Sequence, residues 1–174
     1  QRLGHGGGDR THALADAGFF APDAILATAQ ECEFRGRKCR LMSAEAGLAY
    51  TSVRWAEEFD AERGLWPLLD LALMAQAPAP SLDWQAIGDM ASREPLVATA
   101  LHLALGYLAR ARLAGFPACA LAKIGADDRV TNRVSRAILW KMVDTYIVAG
   151  RPMGRIATSF NLELVWSTLL APNA

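Results

Sequence analysis

Cysteine is scarce in this sequence, with 3 among 174 residues, at positions 32, 39 and 119. None stands in a C-x-x-C pair, which excludes the common zinc sites built on such pairs. Their uneven spacing does not suggest a disulfide framework, and a reducing cytoplasm is the simplest setting. Net charge is absent too. Lys+Arg and Asp+Glu number 18 each, for a balance of +0. No global basic field therefore draws nucleic acid or an anionic membrane. Long apolar runs are also missing. The longest, Leu96 to Leu108, is broken by Thr99, His102 and Gly106. It falls short of the ~20 residues that a membrane span needs.

Several catalytic signatures are incomplete. His5-Gly6-Gly7-Gly8 has the form of an oxyanion loop, but no serine sits in a G-x-S-x-G elbow. The same glycines lack the lysine and Ser/Thr of a phosphate loop. No secretory signal or internal repeat is visible. Residues 1–8 read as a flexible or truncated Gly-rich edge.

What is present is apolar and helical. Hydrophobic residues make up 52% and charged residues 21%, enough to build the core of a single domain. The patterning predicts a mainly α fold over residues 9–174, with about six or seven helices and one small β-hairpin. The hairpin falls between Glu31 and Met42. A turn at Gly36-Arg37 sets Phe34 opposite Cys39 and Glu33 opposite Arg40. Cys32, Phe34, Cys39 and Leu41 then share a face suited to burial, and Glu33, Arg35, Lys38 and Arg40 share a wet one. That wet face is a solvated surface first and a phosphate-binding patch second.

The helices follow in order. A short one opens at Pro22-Asp23 and runs to about Ala29. Ser43 caps the next, with Ala46, Ala49, Tyr50 and Val53 on its apolar face, to about Phe59. Another, from Leu65 to about Ala75, is apolar nearly all round and belongs deep in the core. Ser81 and Asp83 compete to cap a helix to about Ser92. Glu94-Pro95 starts a long helix to about Ala114, with Gly115 as its C-cap. Its His102 shares an apolar row with Ala98 and Leu105, and reads as a core or groove histidine, not a metal ligand. Asp127 or Asp128 caps the last long helix. Its apolar face holds Val130, Val134, Ile138, Val143, Tyr146 and Ile147. Arg129, Arg133, Arg136 and Lys141 make much of the opposite face cationic. Asn161 caps a final helix containing Leu164, Val165, Trp166 and Leu169.

Two of these segments carry a resemblance. Arg40-Leu41-Met42-Ser43-Ala44-Glu45 followed by Leu68-Leu69-Asp70-Leu71-Ala72 resembles the pattern of the uncharacterised nucleotidyltransferase family. These are bacterial proteins distantly related to the polymerase-β-type nucleotidyltransferases. The resemblance extends through Leu82-Asp83-Trp84 and covers roughly Asp9 to Phe116. It implies transfer of a nucleotidyl group from a nucleoside triphosphate to an unknown acceptor, with Mg²⁺ in the full-length protein. Asp9 matches the aspartate of the family's D-L-H-R-A-L-A-D segment, and so is the candidate catalytic residue and metal ligand. A hard Mg²⁺ wants oxygen ligands, and its charge stabilises the triphosphate during transfer.

The D-x-D or D-x-E pair that such chemistry needs does not follow a suitable strand here. The chain therefore reads as the C-terminal helical part of such a protein, inactive alone and needing no cofactor by itself. The alternative is a non-catalytic helical module that binds a protein or small ligand. Asp70, in an apolar helix, reads as a buried structural acid paired with Arg54 or Arg63, because a buried carboxylate needs a partner.

Overall fold

The computed structural model describes residues 26–57, 64–76, 82–116, 118–125 and 133–149. The chain forms two compact units, Gln1–Ser43 and Ala44–Ala174. The mainly α architecture with one hairpin is the one that the sequence pattern predicts. The expected boundary after residue 8 and the expected helix capped by Asn161 lie outside the described residues.

In the first unit, residues 26–28 form a helical turn, and β1 (Gln30–Phe34) pairs with β2 (Arg37–Leu41) as an antiparallel hairpin. The register differs from the expected one. Phe34 stands opposite Arg37, Cys32 opposite Cys39 and Glu31 opposite Arg40. The turn is Arg35-Gly36, with φ of 50° and 74°. Positive φ at both central residues is the turn geometry that follows the right-handed twist of the strands, and it places glycine second. The slip leaves the two faces intact, because even positions still pair with odd ones. Arg37 and Gln30 join the face of Cys32, Phe34, Cys39 and Leu41. Glu31 and Glu33 stand opposite Arg40 and Lys38 on the other, a favourable arrangement of opposite charges. The apolar face is not buried as expected, since Phe34 and Leu41 are exposed and the two cysteines half-buried.

In the second unit, α1 (Ala44–Glu57) begins directly after Ser43, where the cap is expected. Leu48, Ala49, Ser52, Val53, Trp55 and Ala56 are buried, whereas Tyr50 of the expected apolar face is exposed. Next come α2 (Leu65–Gln76), α3 (Trp84–Arg93) and α4 (Pro95–Arg110). Asp83 wins the capping position of α3. Its carboxylate accepts from the amides of Gln85 at 2.9 Å and Ala86 at 3.1 Å. A short α5 (Ala118–Gly125) follows, which the alanine-rich sequence there does not announce. Last among the described elements, α6 (Arg133–Met142) runs into a π-helical segment, Val143–Val148.

The long broken run that is too short for a membrane is instead the centre of this unit. From Val97 to Leu108, every α4 residue is buried except His102, which is half-buried. α1, α2, α3, α5 and α6 all pack against α4. Burying each large aliphatic side chain there contributes roughly 1.5–3 kcal/mol.

α4 ends earlier than expected, and without Gly115. Ala111 is the C-cap, and Arg112 takes the left-handed conformation with φ of 56°. Leu113 N–H donates to the Leu108 carbonyl at 2.9 Å and Arg112 N–H to the Ala109 carbonyl at 3.1 Å. This pair of bonds closes a Schellman motif, with an arginine where glycine is usual.

Candidate functional site

Two features of the second unit stand out, and both begin from helices read differently in the sequence. The first is α2. Its inner face buries Leu68, Leu71 and Ala72. The helix is apolar nearly all round, yet it lies at the surface, not deep in the core. Trp66 is 69% exposed, Leu73 68% and Leu69 38%. These positions stand at i, i+3 and i+7 and so share one stripe. Asp70 is exposed beside them, which corrects its reading as a buried acid. The carboxylate has access to water and needs no buried partner. Arg54 is half-buried on α1, and Arg63 lies outside the described residues. The end of α2 is tied down, because the Gln76 side-chain amide donates to the Leu113 carbonyl after α4.

The second feature is the seam between α4 and α6. Trp140 Nε1 donates to the Leu103 carbonyl at 3.1 Å. Two guanidinium groups lie over its ring, Arg136 at 5.3 Å and Arg110 at 5.7 Å from the centroid. Such contacts are worth about 0.5–2 kcal/mol each, according to how far they are desolvated. Asp144, in the π-helical segment, accepts from the Tyr107 hydroxyl at 2.7 Å and from Arg110 at 3.1 Å. Burial pushes the Asp144 carboxyl up, but those two hydrogen bonds and the charges of Arg110 and Lys141 outweigh it, so its pKa lies below the usual value. Burial and the bond to Asp144 push the Tyr107 hydroxyl up, and it stays protonated as the donor.

His102 closes the other end of the seam. Its Nε2 takes the hydrogen bond of the Arg136 guanidinium, which requires a neutral ring with the proton on Nδ1. That Nδ1 is buried without a hydrogen-bond partner. Burial, and then the Arg136 charge, lower the His102 pKa to about 4. The expected solvated cationic face is thus corrected at Arg136, which is bound between Trp140 and His102. The expected apolar face of this helix holds at Val143 and Ile147 but not at Val134 and Ile138. Leu139, Met142, Val143 and Ile147 are buried, while Val134 and Ile138 are exposed. With Lys141 and Tyr146, the latter two line an open groove of about 570 Å³.

Of the motif residues, two meet directly. The Glu45 carboxylate accepts from the Asp83 backbone amide at 3.0 Å, joining the first turn of α1 to the cap of α3. This contact is structural. Asp9 lies outside the described residues. Among the described residues, no group of three or more His, Cys, Asp or Glu gathers to hold a metal ion. No described helix is long and apolar enough to cross a membrane. No family model, curated protein or solved structure matches this chain.

Sequence reasoning missed the seam because its members come from positions 102–110 and 136–144, which only packing brings together. One signal was available. Trp140, flanked by Arg136 and Asp144 at four-residue spacing, is an amphipathic residue that seeks a partner for its N–H.

Proposed function

We propose that the second unit is a non-catalytic helical interaction module that docks a protein partner on the outer face of α2. One observation carries this reading: Trp66 and Leu73 are each more than two-thirds exposed in a helix whose other face is firmly buried. Tryptophan is enriched among the residues that dominate interface energies. The partner is an amphipathic helix or strand with an apolar stripe and a Lys or Arg opposite Asp70. The stripe supplies apolar contact and Asp70 supplies orientation.

A photoreactive side chain at Leu73, in the native cell, tests it. A single dominant adduct is expected, absent when Trp66→Glu is also present and absent from a control probe at exposed Arg93. Adducts no stronger than the control would overturn the proposal. Trp66→Glu should leave the unfolding free energy within about 0.5 kcal/mol, as for other surface changes.

Nucleotidyl transfer is a second reading, and the resemblance of Arg40–Glu45 and Leu68–Ala72 supports it. On that reading this module accompanies the catalytic part of a Mg²⁺-dependent transferase acting on a nucleoside triphosphate, and Asp9 is its candidate carboxylate. Incubation of this chain with Mg²⁺ and labelled triphosphates should give no transfer above background, because one candidate carboxylate cannot hold two metals. Robust transfer, lost in Asp9→Ala, would place catalysis in this chain.

A further inference from the structure

The hairpin brings together two cysteines that the sequence spaces seven residues apart. Cys32 and Cys39 stand directly opposite in the register, and their Sγ atoms are 2.9 Å apart. Both are free thiols and half-buried. Directly opposed residues of an antiparallel pair have Cα atoms about 4.5–5.5 Å apart, inside the range that a disulfide spans.

We propose that Cys32 and Cys39 form a reversible redox site, closed to a cross-strand disulfide by low-molecular-weight disulfides of the glutathione class. The Cys39 thiolate attacks one sulfur of the small disulfide. One small thiolate leaves, and a mixed disulfide forms on Cys39. Cys32 then gives up its proton and attacks the Cys39 sulfur, expelling the second small thiol. Two protein thiols are oxidised to one disulfide, one small disulfide is reduced to two thiols, and the two protons end on those thiols. The order of attack follows from the local environment. The hydrogen bond to Cys39, then burial, push the Cys32 thiol up, which disfavours Cys32 as the first attacker.

Closure has a structural consequence that the face pattern cannot supply. Two registers place the same residues on the same face. One has the observed Arg35-Gly36 turn, and the other would turn at Gly36-Arg37. In the second, Cys32 faces Leu41 and Cys39 faces Phe34, and the sulfurs part. A Cys32–Cys39 bond therefore selects the observed register. Among the described residues the sheet has these two strands alone, and two strands by themselves are marginal in water, so this covalent choice bears directly on the order of the element.

The full chain is equilibrated with a mixture of oxidised and reduced glutathione, alkylated, and digested with trypsin. Cleavage after Arg35, Arg37 or Lys38 separates the two cysteines unless they are bonded. The expected product is a joined Cys32 and Cys39 peptide pair, parted by dithiothreitol. In Cys32→Ser the cross-link is lost, and the glutathione adduct on Cys39 accumulates roughly tenfold or more above its wild-type level, since the second step is intramolecular. Recovery of Cys32 and Cys39 from the wild-type chain as separate alkylated or glutathione-bearing peptides would overturn the proposal, whether or not the variant folds.

Discussion

A Cβ on Gly106 would stand 2.9 Å from Cζ2 of Trp140. α6 thus rests its tryptophan on α4 at a position that carries no side chain. The ring cannot easily retreat, because Leu103 holds its Nε1 and Arg110 and Arg136 lie over its ring.

Gly106→Ala sets two effects against each other. Alanine in a helix interior ordinarily stabilises by roughly 0.5–1 kcal/mol relative to glycine. Overpacking against a fixed ring costs about 1–3 kcal/mol. The second should win, and chemical denaturation should show a loss of about 1 kcal/mol. Adding Trp140→Leu should convert the same change to a gain in its own background. A higher midpoint for Gly106→Ala alone would mean that the ring yields.

His102 predicts an acid-sensitive seam. Its pKa is lowered to about 4 in the fold, from the ordinary 6.5. Between those values the unfolded chain binds the proton and the folded chain does not, so stability falls as pH drops through that window. Above it the contribution is constant. The ring is partly solvated, so the loss should be about 2 kcal/mol, less than the full shift implies. Asp144 acts in a separate window. Its lowered pKa means that its contribution is complete above the ordinary carboxylate value and is lost below it. A His102→Gln chain should therefore lose the dependence between pH 6.5 and about 4 and keep the steeper fall below. Parallel curves for the two proteins would refute this.

Arg112 holds a left-handed position at the end of α4, with φ of 56°. That conformation costs a side chain roughly 1–2 kcal/mol, and glycine nothing, apart from its greater unfolded-state freedom. Arg112→Gly should raise stability by about 0.5–1 kcal/mol, whereas Arg112→Ala should not. Equal midpoints for the two variants would show that the charge, not the backbone, matters there.

Asp70 should prove replaceable. It is exposed, so Asp70→Ala and Asp70→Asn should each shift stability by no more than about 0.5 kcal/mol. A loss of about 3–5 kcal/mol would instead restore the buried ion pair that the sequence suggested.

Periodicity and caps alone determined most of the element list. Ser43, Asp83 and Glu94-Pro95 mark helix starts that the structure keeps, because capping and proline geometry are local. The hairpin's two faces were legible for the same reason, since alternation is a property of the strand. Its register was not, as the slip changes no face and depends on which turn closes best. The depth of α2 was not legible either. An apolar surface says that a helix can be buried on every side, but whether neighbours cover every side is set by packing around α4. The outward stripe of Trp66, Leu69 and Leu73, and the grip of Arg136 on His102 and Trp140, were decided there. Contacts between residues more than thirty positions apart leave no periodic trace in a single sequence, because each partner's own helix satisfies its local rules whether or not the other is near.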